Sequence, residues 1–423
     1  MSIKTAIKRI IPPVLLNAYH YGLALLGAVV FGFPGSKLIV IGVTGTSGKS
    51  TTVDFITRIL EEAGHKTASM SSVRFKIGQE EKKNTLKMTM PGRFKVQQFL
   101  RQAVKEGCKY AVLEVTSEGI KQSRHRFINF TTAVFTNLSP EHIESHGGFE
   151  NYRNEKLKLF KATKNTHIIN IDDPNAEHFL KIPATQKYFF TAKEHLNLEF
   201  KHEDKNTLEA REINIEEGRL GFSVSGTHFN LNLLGNFNMY NALAAIGVGV
   251  SEGISLEVCK NALGKAKSIP GRMEIVAKSP LVVVDYAHTP EQLELAYKSL
   301  APKPLVCVLG SCGGGRDKWK RPVLGKIARQ YCKEIIITNE DPYDEDPLEI
   351  MEQVADGIEG KSHSIVMDRK EAIKKALELA KPKDAVIITG KGSEMWMCLE
   401  SGQKIPWDDR QIVRDVMAGT PKA

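Results

Sequence analysis

Short apolar runs and amphipathic stretches alternate along most of this chain. The segment SKLIVIGVTG (36–45) reads as a buried strand, and STTVDFITRILEEAG (50–64) as a helix closed by Gly64. CKYAVLEVTS (108–117), TTAVFTNLS (131–139) and THIINIDD (166–173) are further apolar runs bounded by turn residues. Helical periodicity fills the intervals, as in RFKVQQFLRQAVKEG (93–107) and YRNEKLKLFKAT (152–163). Alternation of this kind predicts an α/β domain with a mostly parallel sheet. Residues 193–234 are more polar and read as short antiparallel strands at its edge, before a helix over NMYNALAAIGVGVSEG (238–253).

Pro270-Gly271 breaks the pattern inside SIPGRMEIV, and a second α/β series follows. Its apolar runs are LVVVDYAH, PLVCVLGS, EIIITNEDP and DAVIITGKGS, separated by helical patterns such as PEQLELAYKSL and RKEAIKKALELA. The predicted organisation has three parts: a basic and apolar helical segment (1–36), a central P-loop-type domain with a mostly parallel sheet (37–270), and a C-terminal doubly wound, Rossmann-like domain (271–423). No internal repeat and no low-complexity tail is evident.

The first segment carries Lys4, Lys8 and Arg9 and then an apolar stretch about as long as a membrane span. Asn17 and His20 interrupt it, Gly22 and Gly27 weaken it, and the basic cluster precedes it. A span would put those charges outside and the glycine-rich loop inside, against the positive-inside tendency. Leu15, Leu16, Tyr19, Leu23, Leu26 and Val30 fall at helical spacing on one face. The pattern favours a helix packed through that face on the protein's own body. A helix in the membrane interface over residues 13–33 is the alternative, and a true span fits least well.

Composition changes the picture little. The chain has 423 residues, 42% hydrophobic and 25% charged, as expected of a soluble protein with room for two or three domains. A net charge of +9 suits anionic partners such as nucleotides, phosphorylated sugars or an anionic membrane surface. The basic residues are spread, with no cluster interleaved with aromatics, which argues against nucleic acid. The six cysteines form no CxxC pair, and with no cleavable signal evident they read as reduced thiols in a cytosolic protein.

Candidate chemistry begins at the loop VTGTSGKSTT. Gly45 and Gly48 let the backbone approach an anion, and N–H groups of Thr44, Thr46, Ser47 and the helix start at Lys49, Ser50 and Thr51 point at it. Lys49 would meet the β and γ phosphates and the Ser50 hydroxyl would bind magnesium. The general phosphate-loop spacing asks for glycine where this chain has Val43, so a structural Gly-rich turn stays open.

The loop does match a narrower form, T-G-T-x-G-K-S/T. Together with LEVTSEG, FTNLSPEHIESHGG, YRNEKLKLF, LLGNFNMYNALAA, PGRMEIV, DYAHTPEQLE, GGGRDKWKRP, NEDP and GKGSE, in this order, it resembles the Mur ligase family. The likeness runs from about residue 38 to 415 and is greatest to the branch adding the third residue of the peptidoglycan stem peptide. It implies an ATP-dependent, magnesium-dependent amide ligase that activates a muramyl-peptide carboxylate as an acyl phosphate, which the amine of a free amino acid attacks. Such chemistry needs positive charge on the transferring phosphoryl group and the developing oxyanion.

By this resemblance Glu114 and His142 are magnesium ligands, with Ser50. Lys156 is the lysine that the family carbamylates, becoming a carboxylate-like ligand. Read alone, each is an ordinary polar or surface side chain. Asn238, Asn241, Arg272, Asp285, Tyr286 and His288 match nucleotide-contact motifs, with ATP held between the central and C-terminal domains. For His288 a core histidine is the alternative to nucleotide contact, and Lys320 and Arg321 read as an anion site or a surface pair at a helix start. Thr89, Ser117, Gln122 and Arg124 match acceptor contacts. Arg316, Asp341, Tyr343, Gly390 and Glu394 match the amino-acid pocket.

Several positions depart from the family. Relatives carry an N-terminal domain for the UDP part of the substrate, whereas here the loop comes early, so the acceptor is expected to be UDP-linked or lipid-linked. KMTMPGRF keeps only Thr89 of the usual threonines. Glu118 and Ser393 replace usual histidines, and Glu141 a usual aspartate. In NEDPYDEDP, Tyr343 stands where relatives that add meso-diaminopimelate have an arginine, which removes a bidentate carboxylate partner. Asp341, Asp344 and Glu345 would then favour a cationic side-chain end, lysine or ornithine, unless they form an acidic helix start that meets no substrate. A cytoplasmic monomer is the expectation, with peripheral membrane contact through residues 13–33 as its variant. Folylpolyglutamate-like or cyanophycin-like ligation, and a non-catalytic nucleotide-binding scaffold, are the alternatives.

Overall fold

The apolar run ahead of the glycine-rich loop forms strand β1 (Ile39–Thr44), buried in all but its first residue. It lies inside a nine-stranded sheet of order β4-β3-β2-β5-β1-β6-β7-β8-β9. The other members are β2 (Thr67–Met70), β3 (Arg74–Ile77), β4 (Glu80–Lys83), β5 (Tyr110–Glu114), β6 (Phe130–Phe135), β7 (Thr166–Asn170), β8 (Gln186–Thr191) and β9 (Thr207–Glu209). All neighbouring pairs are parallel except β2–β3 and β3–β4. Period-two alternation sends Ile41, Val43, Tyr110 and Val112 into one hydrophobic core and Val40, Ala111 and Leu113 into the other. Both faces are therefore covered, which is why these strands read as continuous apolar runs.

This computed structural model describes residues 12–86, 88–192, 206–216 and 218–419. Lys4, Lys8 and Arg9 lie outside the described residues, as does part of the polar stretch after Ala192. The described remainder of that stretch includes β10 (Arg211–Glu216), β11 (Arg219–Val224) and β12 (Thr227–Leu231), an antiparallel three-stranded sheet of its own.

Helix α1 (Pro13–Phe31) ends at Gly32, whose φ of 69° gives a left-handed cap. It packs on α3 (Arg93–Lys105) through its small residues. Ala24 and Ala28 are buried, His20 hydrogen-bonds Arg93, and a Cβ on Gly27 would lie 3.5 Å from the Phe94 Cα. The expected packing stripe is thereby corrected, since Leu15, Tyr19, Leu26 and Val30 face outward, 51–61% exposed. Close approach of two backbones selects small side chains, and a hydrophobic count misses that preference.

The chain divides into two compact units. One holds the described residues up to Pro140 together with Gly147–Lys267, and the other holds Glu141–His146 and the residues from Ser268 onward. The second is built on a six-stranded sheet of order β13-β14-β18-β15-β16-β17. Its strands are β13 (Glu274–Lys278), β14 (Leu281–Val284), β15 (Leu305–Leu309), β16 (Cys332–Thr338), β17 (Ser364–Val366) and β18 (Ala385–Ile388), parallel apart from β13. A small antiparallel pair, β19 (Trp396–Cys398) and β20 (Lys404–Pro406), follows.

Cys307 on β15 and Cys332 on β16 form a disulfide, with Cα atoms 6.0 Å apart. This overturns the all-thiol expectation for those two residues. Adjacent strands bring them within bridging distance, and a spacing of 25 residues in sequence carries no sign of it. Cys108, Cys259, Cys312 and Cys398 are free thiols.

Candidate active site

The loop after β1 is shaped from behind by the end of β6. Thr46 N donates to the Asn137 carbonyl and Ser47 N to its Oδ1, both at 2.9 Å. Thr136 Oγ1 donates to Ser47 O at 2.8 Å. Gly45 has φ 155°, and a Cβ there would fall 1.9 Å from Thr136 Oγ1. Gly48 has φ 78°, and a Cβ there would meet Asn241 Oδ1 at 2.2 Å. Both positions require glycine. Thr44 closes the strand, and Lys49, Ser50 and Thr51 begin α2 (Lys49–Glu62), whose free N–H groups face the loop.

Helix α5 (Phe237–Ser251) supplies the remaining wall of the loop. Asn241 Nδ2 donates to Asn238 Oδ1 at 3.0 Å, and Asn238 Nδ2 to Leu234 O at 2.8 Å. Lys49 Nζ donates to Thr46 O at 2.8 Å, within reach of anything the loop holds.

Ser50 and Glu114 come together as expected. Ser50 Oγ donates to Glu114 Oε2 at 2.7 Å, and Ser72 N donates to the same oxygen at 2.9 Å. Glu114 ends β5 directly beside Val43 in the parallel register, so the fold itself sets this pair. A buried carboxylate and a hydroxyl fit magnesium, which takes few protein oxygens and completes its shell with water and phosphate. Among the described residues no cluster of three or more His, Cys, Asp or Glu exists that would suit a metal bound by protein alone.

Helix α4 (Phe149–Ala162) delivers Lys156 to the same place. Its Nζ donates to Gly45 O at 2.6 Å and lies 4.5 Å from the centre of the Tyr152 ring. Tyr152 also hydrogen-bonds Thr46 Oγ1 at 3.0 Å. Tyr152, Asn137 and Ser72 are thus working residues that sequence reasoning passed over. Asn137 had a signal, being a polar residue just after an apolar strand; Tyr152 had none.

The acceptor candidates form a second cluster in this unit. Ser117 is buried in the short helix Ser117–Lys121, which Thr116 caps. Arg124 donates to Gln122 Oε1 at 2.7 Å and to Met90 O, while Arg93 donates to Gln122 O at 3.0 Å. Thr89 is half-buried next to Met90. Burial lowers the Arg124 pKa and nearby Arg93 lowers it further, with Glu118 acting the other way.

The other candidates lie in the second unit, His142 included, apart from the unit that holds Ser50, Glu114 and Lys156. The segment Glu141–His146 is pinned there by Asp317, which accepts from Ile143 N and Glu144 N at 3.1 and 3.0 Å. His142 has φ 56°, and its Nε2 lies 3.4 Å from Arg316 Nη1. The His288 ring uses both nitrogens, Nδ1 with Tyr286 O and Nε2 with Glu141 Oε1, each at 2.8 Å. It is therefore neither a plain core histidine nor open to a nucleotide without breaking that pair. Asp285 accepts from Met273 N and Ala287 N at 2.6 and 2.7 Å, so it orders the turn around Arg272 instead of offering a free carboxylate. The Arg272 guanidinium lies 4.1 Å over the Tyr286 ring.

The acidic pocket needs the largest correction. Asp341 is buried and accepts from Lys391 Nζ at 2.8 Å and Cys398 N at 2.7 Å. Lys391 also donates to Glu394 Oε2 at 2.7 Å. Asp344 accepts from Ser401 N, and Glu345 pairs with Arg321 and Lys318. These carboxylates are already matched to donors of the chain and do not form a field awaiting a cation. Lys320 and Arg321 are buried, not a surface pair, and Arg321 spends its donors on Gln353 and Glu345. Gly390 has φ 103°, where a Cβ would strike Glu340 Oε2 at 1.8 Å, and the Tyr343 ring packs over Gly314.

The family model described as Mur ligase middle domain matches residues 43–249, and that described as Mur ligase, glutamate ligase domain matches 271–392. A UDP-N-acetylmuramoyl-L-alanyl-D-glutamate–2,6-diaminopimelate ligase from Syntrophomonas wolfei is 37% identical over 416 residues, covering 95% of this chain and 82% of that protein. A protein of the same description from Bacillus cereus is 32% identical over 427 residues, covering 97% and 84%. A solved structure of such a ligase superposes with a TM-score of 0.60 at 29% identity, over 90% of this chain and 78% of the other. A folylpolyglutamate synthase from Mycobacterium tuberculosis superposes at 0.70 with 17% identity, over 88% and 92%, a likeness of fold alone. From the length and identity of these matches, the chain belongs to the Mur ligase family.

Proposed function

We propose that this chain is an ATP-dependent ligase of peptidoglycan precursor synthesis that joins an amino acid to a muramyl-peptide carboxylate. The observation that carries the reading is the convergence of the phosphate loop, the Ser50–Glu114 pair and buried Lys156 within one unit. In the reaction an acceptor carboxylate oxygen takes the γ-phosphoryl group of ATP and ADP leaves. The amine nitrogen then bonds to the carbonyl carbon, inorganic phosphate departs, and the amine loses a proton. The N–H groups at the start of α2 and Lys49 would orient and neutralise the phosphates, since the Thr46 and Ser47 N–H groups, expected to point at the anion, are bonded to Asn137 instead. Magnesium, held by Ser50 and Glu114, would supply further charge neutralisation. Lys156, carbamylated, would add a carboxylate-like oxygen ligand, and His142 is the candidate for the second magnesium.

Gln122, Arg124, Ser117 and Thr89 are proposed to hold the acceptor, which is either UDP-linked or lipid-linked. Arg272, Asn238 and Asn241 are proposed nucleotide contacts. For the added residue we favour lysine or ornithine, now on the strength of Tyr343 alone, because the neighbouring carboxylates are internally paired. The diaminopimelate named for the relatives is the second reading. We propose a cytoplasmic location, with residues 13–33 in peripheral contact with the membrane.

The test is phosphate release from ATP with mass spectrometry of products. UDP-N-acetylmuramoyl-L-alanyl-D-glutamate and its lipid-linked counterpart serve as acceptors, with lysine, ornithine and meso-diaminopimelate as donors. Product with one pair identifies both substrates. Absence of product with every pair overturns the ligase reading.

A further inference from the structure

The ligase chemistry gives helix α1 no task, yet this helix carries an unusual surface. Nine of the nineteen exposed large hydrophobic residues among the described residues fall between Val14 and Phe33. No charged side chain occurs anywhere in Pro13–Phe31. The helix is also long and apolar enough to cross a membrane by composition, with a mean hydropathy of 1.6 over Val14–Phe31.

Its seat argues against crossing. The inner face is occupied by the His20–Arg93 hydrogen bond, buried Ala24 and Ala28, and the close approach of Gly27 to the Phe94 backbone. Ring contacts of Tyr21 with Phe127 and Phe31 with Phe94 add to it. A helix drawn into the hydrocarbon would lose all of these or carry charged α3 with it, at high cost. Held in place, it presents an apolar half-cylinder along the domain surface, the geometry of a helix lying in an interface.

Charge selects the occupant. No acidic residue precedes Asp54, while Lys4, Lys8, Arg9 and Lys37 flank the helix in sequence. Exposed Lys95 and Arg126 adjoin the contact residues Phe94 and Phe127. A second copy docked on this face would bring like charges together, whereas an anionic bilayer would meet them with opposite charge. We propose that α1 docks the chain on an anionic lipid surface, lying in the plane of the interface with Leu15, Tyr19, Leu26 and Val30 among the acyl chains. This inference rests on the peripheral membrane contact proposed for residues 13–33, and gives it a lipid class, an orientation and a set of inserting residues.

The experiment is flotation of the full chain with vesicles of phosphatidylglycerol or of phosphatidylcholine, alongside phosphate release on a soluble acceptor. The chain should float with the anionic vesicles and be released from them by alkaline carbonate. The double variant Leu26→Glu with Val30→Glu should lose at least tenfold of the bound fraction while keeping wild-type turnover. Binding to neither lipid, equal binding by the variant, or retention after carbonate overturns the proposal. So does a concentration-dependent dimer in light scattering that the variant abolishes. Flotation as expected without product from any substrate pair supports the docking and sinks the ligase reading alone.

Discussion

Lys156 Nζ donates a 2.6 Å hydrogen bond to the carbonyl oxygen of Gly45, tying the middle of α4 to the first glycine of the phosphate loop. A cation or its carbamate at this point lies beside the loop and not in solvent, since the side chain is fully buried. The variant Lys156→Ala should lower kcat by about a hundredfold or more while circular dichroism stays native. Wild-type activity should fall in buffer stripped of carbon dioxide and recover with bicarbonate. Wild-type turnover by the variant would remove Lys156 from the mechanism.

Tyr343 sets a second prediction. It stands where the family likeness implies an arginine that would pair with a far carboxylate, and its ring packs over Gly314. Introducing that charge with Tyr343→Arg should raise kcat/KM for meso-diaminopimelate relative to lysine by about tenfold to a hundredfold, the worth of a charge-assisted hydrogen bond. A ratio that does not move would show that this residue does not select the donor.

Arg369 and Asp409 predict a stability effect. The guanidinium donates from Nε and Nη2 to the two carboxylate oxygens at 2.9 and 2.8 Å, and both side chains are buried. Arg369→Ala leaves the carboxylate buried and uncompensated, which costs about 3–5 kcal/mol. Denaturant unfolding should show that loss, and the double variant Arg369→Met with Asp409→Leu should recover most of it.

His125 predicts a pH dependence. Burial holds its pKa down to about 4, with Arg126 and Lys158 acting in the same direction. The unfolded chain takes up a proton near pH 6.5 that the folded chain refuses. Its contribution is therefore fully present above about pH 6.5 and is lost progressively as pH falls toward about 4. Unfolding measured across that window should slope accordingly, and His125→Gln should flatten it in part. Burial also lowers the pKa of His167, so some slope remains.

What could be read from the sequence follows from where the information is local. The strands β1, β5 and β6 announced themselves because both their faces are buried, and the loop because glycine and Gly-Lys-Ser spacing is local. The hairpin β3–β4 was missed, since Glu80–Lys83 is exposed throughout and has no apolar signal. The fates of Asp341, Glu345 and Arg321 depend on partners up to 57 residues away, and the bond between Cys307 and Cys332 on strand adjacency. Ser50 and Glu114 were paired through family likeness. Their meeting depends on the β1–β5 register, which no pattern of single residues encodes.

The braced loop has a kinetic consequence. Between Gly45 and Gly48 the loop is held by Thr136 and Asn137 through hydrogen bonds to Ser47, and the two glycines lie in close contact with Thr136 and Asn241. The entropy of ordering these residues is given up once, when the domain folds, and not at each turnover. Nucleotide exchange can then proceed without a local disorder-to-order step, so the loop meets every incoming nucleotide with the same rigid mould.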